Sequence, residues 1–314
     1  MVPGTSCRCD AGPEQVARER VLVLVMAAPL LIAWCAWVWL SFVPAVPTAY
    51  VLAREPGLPP RVIARQGGDG LLPGNTLEAL SNAWDLGADA LHFDVRASAD
   101  GELVAMHDAD VGRTTEGQGA LNRMSLTELQ ALDAAHHWPG GTAEPRFRGT
   151  GVRVPLVRDI LGALPASTRF VIDLKADDPE AALDLCALLR EIGAGGRVLV
   201  ASAVHQAMTR FREACPEVAT SATESEVRRF VLLSQLGLPV LFRTRALVLQ
   251  VPRRTNGVEV LDAAFVTDAH ARGLQVDVLG VSTREELRAV MALGVDGVIT
   301  DRPDLALAVR APPR

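Results

Sequence analysis

The stretch Ala90–Asp108, ALHFDVRASADGELVAMHD, decides the fold that we predict for this chain. In its first apolar run His92 and Asp94 stand two residues apart, and side chains at i and i+2 leave the same face of a β-strand. The opposite face takes three apolar residues, Leu91, Phe93 and Val95. The pattern therefore predicts a strand that buries one face and presents an imidazole and a carboxylate on the other.

The second half of the stretch is predicted to turn back beside the first. A short polar link ending in Gly101 indicates a turn, and the following apolar run, Leu103–Met106, stops at His107 and Asp108. Two neighbouring strands are therefore expected to deliver polar side chains to one end of a sheet. Ligands bind at such an edge in α/β enzymes.

Beyond this stretch, strand-like runs alternate with helix-like runs, which predicts a parallel sheet. Further strands are predicted at Arg61–Ala64, Phe170–Leu174, Val198–Ser202, Val218–Ser221, Leu247–Val251, Leu274–Leu279 and Gly297–Thr300. Together with the two opening strands these are nine candidates, one more than an eight-stranded (β/α) barrel needs. The sequence does not say which is surplus. A doubly wound open sheet stays an alternative, although no glycine-rich dinucleotide turn supports it.

Three helix starts carry the pattern of a capping box, in which a polar N-cap residue is followed by glutamate three positions later. The pairs are Asn75 with Glu78, Ser125 with Glu128, and Thr283 with Glu286. The first helix is expected to end at Gly87 and the last at Gly294. These signals fix where helices should follow strands.

Length and composition limit the class of protein. A chain of 314 residues with 49% hydrophobic residues has room for one barrel of about 250 residues and an appendage. The formal net charge of −6 gives no general basic surface, so no nucleic-acid partner is expected. Of five cysteines, only Cys186 and Cys215 lie in the predicted barrel, and they predict neither a disulfide framework nor a metal site.

An uncharged segment, Val21–Val43, is predicted to anchor the chain in a membrane. Its 23 residues exceed the roughly 20 that cross a bilayer as a helix, and it is too long for the apolar core of a cleaved signal peptide, about 7 to 15 residues. The numbers of arginines before and after the segment differ too little to fix its orientation in the membrane. A barrel outside the cytoplasm is the preferred arrangement. The predicted plan is a tail at 1–20, an anchor at 21–43, a linker at 44–60 and a barrel at 61–310.

A second apolar segment, Phe230–Phe242, reads FVLLSQLGLPVLF and has two arginines before it and two after it. Thirteen residues cannot span a membrane. The flanking arginines favour a segment lying in the membrane interface. The alternative is an ordinary helix and loop of the barrel, and the sequence leaves both open.

Six runs, in order along the chain, resemble the glycerophosphodiester phosphodiesterase family. They are VIARQGG from Val62, PGNT from Pro73, LHFDV from Leu91, DGELVAMHD from Asp100, VIDLK from Val171 and GVDGVITDRPD from Gly294. The similarity spans about Ile63 to Leu305. It implies a TIM (β/α)8 barrel that uses a divalent metal, Mg²⁺, Ca²⁺ or Mn²⁺, to hydrolyse glycerophosphodiesters. The predicted anchor resembles the membrane-anchored branches of the family, for which the resemblance implies lysophospholipids as substrates.

Carried over by position, the resemblance implies a metal site at Asp94, Asp173 and His92, where the family has one aspartate and two glutamates. His107 falls on the family's second catalytic histidine, and Lys175 falls on its lysine. Other positions differ from the family. The first catalytic histidine is replaced by Arg65, the arginine after it by Gln66, a turn glutamate by Gly74 and a tryptophan by Leu279.

These differences change the expected chemistry. Arg65 can neutralise phosphate, but a guanidinium does not deprotonate and cannot carry a proton. His92 removes one negative charge from the metal site and shifts the preference toward Mn²⁺, Fe²⁺ or Zn²⁺. The alternative is that no metal binds and that His92 hydrogen-bonds Asp94 or a neighbouring strand residue.

Lys175 is the only lysine in the chain, against thirty arginines, and we predict that it contacts phosphate. The alternative is a surface lysine at the end of a strand. His107 is predicted as the general acid or base, with a structural histidine as its alternative.

Two functions follow from these expectations. The first is a membrane-anchored phosphoric diester hydrolase acting on glycerophosphodiesters or lysophospholipids with an altered metal site. The second is a catalytically inactive barrel that binds a phosphorylated headgroup or a protein partner at the membrane.

Overall fold

The structure is a computed structural model that describes residues 25, 27–35, 58–138, 146–175, 179–255 and 258–310. The chain forms two compact units, residues 1–44 and 45–314. In the first unit residues 27–35 are helical. The tail at 1–20 and most of the predicted anchor at 21–43 lie outside the described residues. Within the described part, no helix has the length and apolar character needed to cross a membrane.

Eight parallel strands form a nearly closed, TIM-like barrel. The strands of the chain are β1 (Arg61–Ala64), β2 (Ala90–Ala97), β3 (Leu103–Ala105), β4 (Phe170–Leu174), β5 (Val198–Ala201), β6 (Ala219–Thr220), β7 (Val248–Pro252), β8 (Arg254–Thr255), β9 (Val258–Glu259), β10 (Gln275–Leu279) and β11 (Gly297–Thr300). The order around the barrel is β6, β5, β4, β2, β1, β11, β10, β7. A bridge between Ser221 and Val248 brings the two ends together. The predicted barrel is therefore confirmed, and the open doubly wound alternative is wrong.

The ninth strand candidate is β3. It pairs antiparallel with β2, with Ala105 opposite Val95, and stands outside the parallel barrel. The link before it turns at Gly101, which has a φ of 81°. So short a link allows only an antiparallel return, because parallel strands need a crossover of a dozen or more residues. Strands β8 and β9 pair antiparallel in a separate two-stranded sheet that the sequence pattern did not predict.

Nine helices are described outside the first unit: α1 (Leu77–Asp85), α2 (Leu126–Ala131), α3 (Val157–Ala163), α4 (Pro179–Glu191), α5 (His205–Ala214), α6 (Glu224–Gln235), α7 (Ala263–Ala271), α8 (Arg284–Met291) and α9 (Pro303–Arg310). Short 3₁₀ helices lie at Val111–Arg113, Leu121–Arg123, Gly195–Arg197 and Pro239–Leu241. A similar turn at Arg65–Gly67 is not regularly helical, because Gln66 in it has a φ of 52°.

Two of the three predicted capping boxes are confirmed, those at Ser125 and Thr283. The prediction at Asn75 is wrong, because Thr76 caps α1 by accepting the N–H of Ala79. Asn75 has a φ of 59° and turns its side chain toward β2 instead. A capping box at Thr223, which starts α6, was not predicted.

The two faces of β2 separate as its sequence pattern predicts. Leu91, Phe93 and Val95 are fully buried in the layer between strands and helices. The Phe93 ring meets that of Phe170 edge to face, at 5.9 Å between centroids. On the other face, the register of β2 against β4 places Asp94 directly opposite Asp173. Burial of one face thus fixes the position of the polar side chains on the other.

A disulfide joins Cys186 in α4 to Cys215, the residue after α5, with a Cα–Cα distance of 5.8 Å. Both cysteines are buried. This disulfide was not predicted from the sequence, because two cysteines 29 residues apart do not reveal that their helices are neighbours. The barrel therefore contains one covalent cross-link between adjacent helices.

Candidate active site

The centre of the candidate site is a pair of carboxylates at the carboxyl ends of β2 and β4. Asp94 and Asp173 lie side by side in register, and His92 lies two residues earlier on the same face as Asp94. Metal-ligating atoms of these three residues lie within 4.8 Å of one another. Asp94 is 1% exposed and His92 is 5% exposed. The structure thus brings together the three residues predicted to hold a metal.

Lys175 follows β4 and points at both carboxylates. Its Nζ lies 2.7 Å from Oδ2 of Asp173 and 3.5 Å from Oδ1 of Asp94. Burial lowers the pKa of Lys175, but the two carboxylates outweigh burial and raise it above the ordinary lysine value. The ammonium is therefore charged and directed into the site. Lys175 is not the surface lysine that the alternative interpretation expected.

Two side-chain amides hold Asp94 from the opposite side. Gln66 Nε2 donates to Oδ2 of Asp94 at 2.6 Å, and Asn75 Nδ2 donates to the same oxygen at 2.9 Å. Asn75 Oδ1 also accepts the backbone N–H of Asp94 at 2.9 Å. Burial opposes ionisation of Asp94, but His92, Lys175 and the Asn75 hydrogen bond lower its pKa below the ordinary aspartate value. Asp94 is therefore an oriented carboxylate.

Gln66 and Asn75 share an uncommon backbone conformation. Their φ angles are 52° and 59°, in the left-handed region that residues other than glycine rarely adopt. Such conformations cost on the order of 1–3 kcal/mol and cluster at functional sites. The sequence alone does not predict either residue at Asp94, because a side-chain direction set by a positive φ is not visible in a pattern of residue types.

The His92 ring has a defined hydrogen bond. Its Nδ1 accepts the backbone N–H of Gln66 at 3.3 Å. Burial lowers the pKa of His92, so the ring is neutral near pH 7. A neutral ring that accepts at Nδ1 carries its proton on Nε2. His92 therefore binds a metal only if its hydrogen bond to the Gln66 N–H breaks. The hydrogen-bond partner of His92 is Gln66, and not Asp94 or a neighbouring strand residue as the sequence-based alternative expected.

The two carboxylates fit a divalent cation. Oδ1 of Asp173 is buried and has no hydrogen-bond partner among the described residues. A buried acceptor without a partner is costly, and a cation would satisfy it. Carboxylate oxygens suit hard cations such as Mg²⁺, Ca²⁺ and Mn²⁺. Asp94 and Asp173 are therefore the principal ligands available, with His92 as a conditional third.

His107 lies beyond β3 in a hydrogen-bonded chain of side chains. Its Nδ1 lies 2.6 Å from Oδ1 of Asp108, and Arg113 donates to the other Asp108 oxygen. Burial would raise the pKa of Asp108, but the bonds from Arg113 and His107 lower it below the ordinary value. The carboxylate orients the imidazole and leaves Nε2 for another partner, which is the arrangement of a proton-transfer histidine. Asp108 was not predicted as a site residue.

A small cleft of about 20 Å³ connects His107 to residues of the β1 end, among them Gln66 and Asp69. Oδ1 of Asp69 accepts the N–H of Gly74 at 2.9 Å. A Cβ at position 74 would lie 2.7 Å from that oxygen, so glycine makes room for the carboxylate. Burial raises the pKa of Asp69 above its ordinary value. Asp69 is thus a titratable group at the same cleft as His107, and it was not predicted from the sequence.

Arg65 stands at the carboxyl end of β1. Its Nη1 lies 3.0 Å from Oδ1 of Asp301, and one third of its side chain is exposed. Burial lowers the pKa of Arg65, but Asp301, Asp94 and Asp69 raise it above the ordinary arginine value. Arg65 therefore keeps a positive charge close to these carboxylates and provides no proton.

An apolar cavity of about 530 Å³ opens beside Asp173. One wall is helix α6, through Val227, Val231 and Leu232, and Leu279 lines another part. Most of the lining is apolar, whereas the neighbouring carboxylates and ammonium are charged. The site therefore combines a polar centre with an apolar compartment.

Comparisons with known proteins identify the family of this chain. The model of the Glycerophosphoryl diester phosphodiesterase family matches residues 66–305. A glycerophosphodiester phosphodiesterase of Caldanaerobacter subterraneus subsp. tengcongensis is 28% identical over 252 residues, covering 77% of this chain and 94% of the relative.

Two solved structures share the fold. A glycerophosphodiester phosphodiesterase from Agrobacterium tumefaciens str. C58 matches with a TM-score of 0.64 and 27% identity, covering 79% of this chain and 99% of that one. An Oleispira antarctica phosphodiesterase, in complex with the product sn-glycerol-3-phosphate, matches with a TM-score of 0.64 and 23% identity, covering 80% and 96%. With a family match across most of its barrel and a carboxylate pair at the strand ends, this chain belongs to the glycerophosphoryl diester phosphodiesterase family.

Proposed function

We propose that this protein hydrolyses glycerophosphodiesters at the carboxyl ends of β2 and β4. The observation that carries the proposal is the cluster of Asp94, Asp173 and Lys175, with the His107–Asp108 pair on the adjoining strand. The relative from Oleispira antarctica has sn-glycerol-3-phosphate as its product. A glycerophosphodiester is accordingly the substrate class that we assign to this site.

Each part of the cluster has a task in phosphodiester hydrolysis. Asp94 and Asp173 would hold a divalent cation, which supplies positive charge to polarise a phosphate oxygen. Lys175 and Arg65 neutralise the remaining phosphate charge, because both side chains stay protonated. The amides on Asp94 keep that carboxylate in one orientation, so that the phosphate position is fixed before substrate binds.

Hydrolysis also needs one group to take a proton from the nucleophile and another to give one to the leaving oxygen. His107 performs one transfer through Nε2, while Asp108 holds its Nδ1. Arg65 cannot perform the other. We assign the second transfer to Asp69, which lines the same cleft as His107 and whose pKa is raised by burial.

The apolar cavity beside Asp173 supports lysophospholipids as the preferred glycerophosphodiesters. Its volume of about 530 Å³ lies in the range of ligand sites and its lining is mostly apolar. A free glycerophosphodiester has no apolar group to fill it, whereas a lysophospholipid carries one acyl chain. Substrates with longer acyl chains should therefore bind with a lower KM.

We further propose a membrane-anchored protein whose barrel lies outside the cytoplasm. The apolar segment at 21–43 supports the anchor. The disulfide between Cys186 and Cys215 supports a barrel outside the cytoplasm, because disulfides persist mainly in oxidising compartments. Protease added outside intact cells should digest the barrel; protection of the barrel until the cells are lysed would contradict this orientation.

The experiment that tests the activity uses the purified full-length chain. Choline release from lysophosphatidylcholine and from glycerophosphocholine is measured with Mg²⁺, Ca²⁺ or Mn²⁺. We expect turnover that falls on the order of 100 to 10,000-fold in His107→Ala, whereas His205→Ala, at an exposed histidine of α5, should change little. Absence of turnover with every ion, in a sample shown to be folded, would contradict hydrolysis.

The inactive barrel remains the second candidate function, and Gln66 is the observation that favours it. Its amide occupies an oxygen of Asp94 that could otherwise hold a metal, and Arg65 stands where the family has a catalytic histidine. In this alternative the folded protein binds glycerol phosphate with micromolar or tighter affinity and releases no product from any diester.

A further inference from the structure

Helix α6 and the 3₁₀ turn after it present a cluster of exposed apolar residues. Leu232, Leu236, Leu238, Val240 and Leu241 are each 44–62% exposed. Among the described residues at 58–310, the other large apolar residues with comparable exposure are Leu58 and Leu86. Single exposed apolar residues are ordinary, whereas a contiguous group marks an interaction surface. We call this group of five residues the α6 patch.

The α6 patch is held in place by buried aromatic residues. Phe230 and Phe242, at the two ends of the segment, are buried, and their ring centroids are 5.0 Å apart. Phe265 of α7 packs on Phe230 at 5.1 Å. The backbone N–H of Leu238 also bonds to the carbonyl of Leu233. The leucines are therefore exposed by a fixed structure, with the ends of the segment in the core and its middle on the surface.

Arginines flank the α6 patch on both sides. Arg228 and Arg229 precede it and Arg243 and Arg245 follow it, whereas Glu224 is the exposed acid on this helix. Arg229 lies over the Phe242 ring at 5.5 Å. Arg228 forms an ion pair with Glu224, so the segment and its flanks carry four arginines against one exposed acid, on a chain whose net charge is −6. Apolar side chains bordered by arginines are complementary to a bilayer with anionic headgroups.

The α6 patch is continuous with the candidate active site. Leu232 belongs to the patch and also lines the apolar cavity that reaches Asp173. A lipid headgroup layer placed against the patch would therefore lie at the wall of this cavity. A second copy of the chain fits less well, because a two-fold contact would set the arginines of one copy near those of the other.

We propose that the α6 patch inserts into the interface of an anionic phospholipid bilayer, independently of any membrane anchor at 21–43. The leucines enter the boundary between headgroups and acyl chains, and the arginines bind lipid phosphates. The barrel then stands on the bilayer with its apolar cavity beside the lipid.

Photo-crosslinking in full-length protein tests the proposal. The photoreactive residue p-benzoylphenylalanine replaces Leu236 in one variant and Leu86 in a matched one, both bound to vesicles of phosphatidylcholine with phosphatidylglycerol. Both retain the 21–43 segment, so a difference between them reports on the barrel surface alone. We expect at least a fivefold higher yield of lipid adduct at position 236. Equal yields, or an adduct to a second protein chain at position 236, would overturn the proposal.

The charge requirement is tested with Arg228→Gln and Arg245→Gln introduced together into the Leu236 variant. We expect the lipid adduct to fall severalfold toward the yield measured on vesicles of phosphatidylcholine alone, and high salt to have the same effect. An adduct yield that ignores vesicle charge, salt and both arginines would contradict the role of the anionic headgroup. Adduct formation needs no turnover, so its outcome is separate from that of the proposed hydrolysis.

Discussion

Asn75 and Asp94 are joined by two hydrogen bonds, each 2.9 Å long: Asn75 Nδ2 donates to the Asp94 carboxylate at Oδ2, and the Asp94 backbone N–H donates to Asn75 Oδ1. Both residues are buried. The pair links the loop after β1 to the end of β2, so the position of the site carboxylate depends on a residue nineteen positions earlier in the chain.

Asn75→Ala should therefore destabilise the fold. The substitution leaves a buried carboxylate and a buried N–H short of partners, at about 1–3 kcal/mol, and alanine tolerates a φ of 59° less well than asparagine. Urea denaturation measures the loss in the free energy of unfolding. Asn122→Ala, at an exposed asparagine, should cost less than about 0.5 kcal/mol. Equal losses in the two variants would show that the Asp94 contacts contribute nothing.

Much of the fold followed from the sequence because burial periodicity is local. The alternation around His92 and Asp94 gave the correct faces of β2, and strand positions agreed within one or two residues. The surplus strand, β3, could not be identified, because pairing direction depends on where the neighbouring strands lie.

The candidate site was predicted only in part. The strand pattern predicted Asp94 as a site residue, and the family resemblance implied Asp173 and Lys175. The structure brings the three side chains together. No residue pattern records backbone conformation or the space between side chains. The roles of three further residues depend on these features: Gln66, Asn75 and Asp69. At position 74 this chain has glycine where the resembling family has a glutamate. The structure shows that the Asp69 carboxylate occupies the space beside Gly74.

His92→Glu should raise the affinity for hard divalent cations. A carboxylate adds a negative charge and an oxygen ligand, and it removes the requirement that the His92 ring give up its bond to Gln66. Isothermal titration with Mg²⁺ and Mn²⁺ should show at least tenfold tighter binding of Mg²⁺, with a smaller change for Mn²⁺. The same substitution at the exposed His205 is the control. Unchanged Mg²⁺ affinity in His92→Glu would show that position 92 does not reach the ion.

Reduction of the Cys186–Cys215 disulfide should destabilise the barrel. The cross-link closes a loop of 29 residues, for which the chain-entropy treatment gives about 3.5 kcal/mol. Unfolding in urea with and without reductant measures the difference. Cys186→Ala with Cys215→Ala should unfold at the same urea concentration in both conditions, near that of the reduced protein. A wild-type midpoint that does not respond to reductant would contradict a stabilising cross-link.

Asp69→Asn should stabilise the protein at pH 7 and lower its activity. The folded-state pKa of Asp69 lies above 3.8, mainly because of burial. The hydrogen bond from the Gly74 N–H opposes this shift, the nearby Asp301 adds to it, and Arg65 and Arg113 have smaller opposite effects. The folded protein therefore binds this proton more tightly than the unfolded chain. Stability from this group is present below pH 3.8 and is lost as pH rises through the folded-state pKa. Asparagine keeps an acceptor for the Gly74 N–H and carries no charge.

Two measurements separate the consequences of Asp69→Asn. Thermal unfolding should give a higher Tm than wild type at pH 7 and an equal Tm near pH 3, because wild-type Asp69 is protonated there. Diester hydrolysis should fall by about 100-fold or more if Asp69 carries the second proton, and the pH–rate profile should lose one limb. Asp85→Asn, at an exposed residue of α1, should change neither quantity. A variant that gains stability and retains full turnover would leave Asp69 as a buried charge without a part in proton transfer, and the second proton would then have to come from a group other than Asp69.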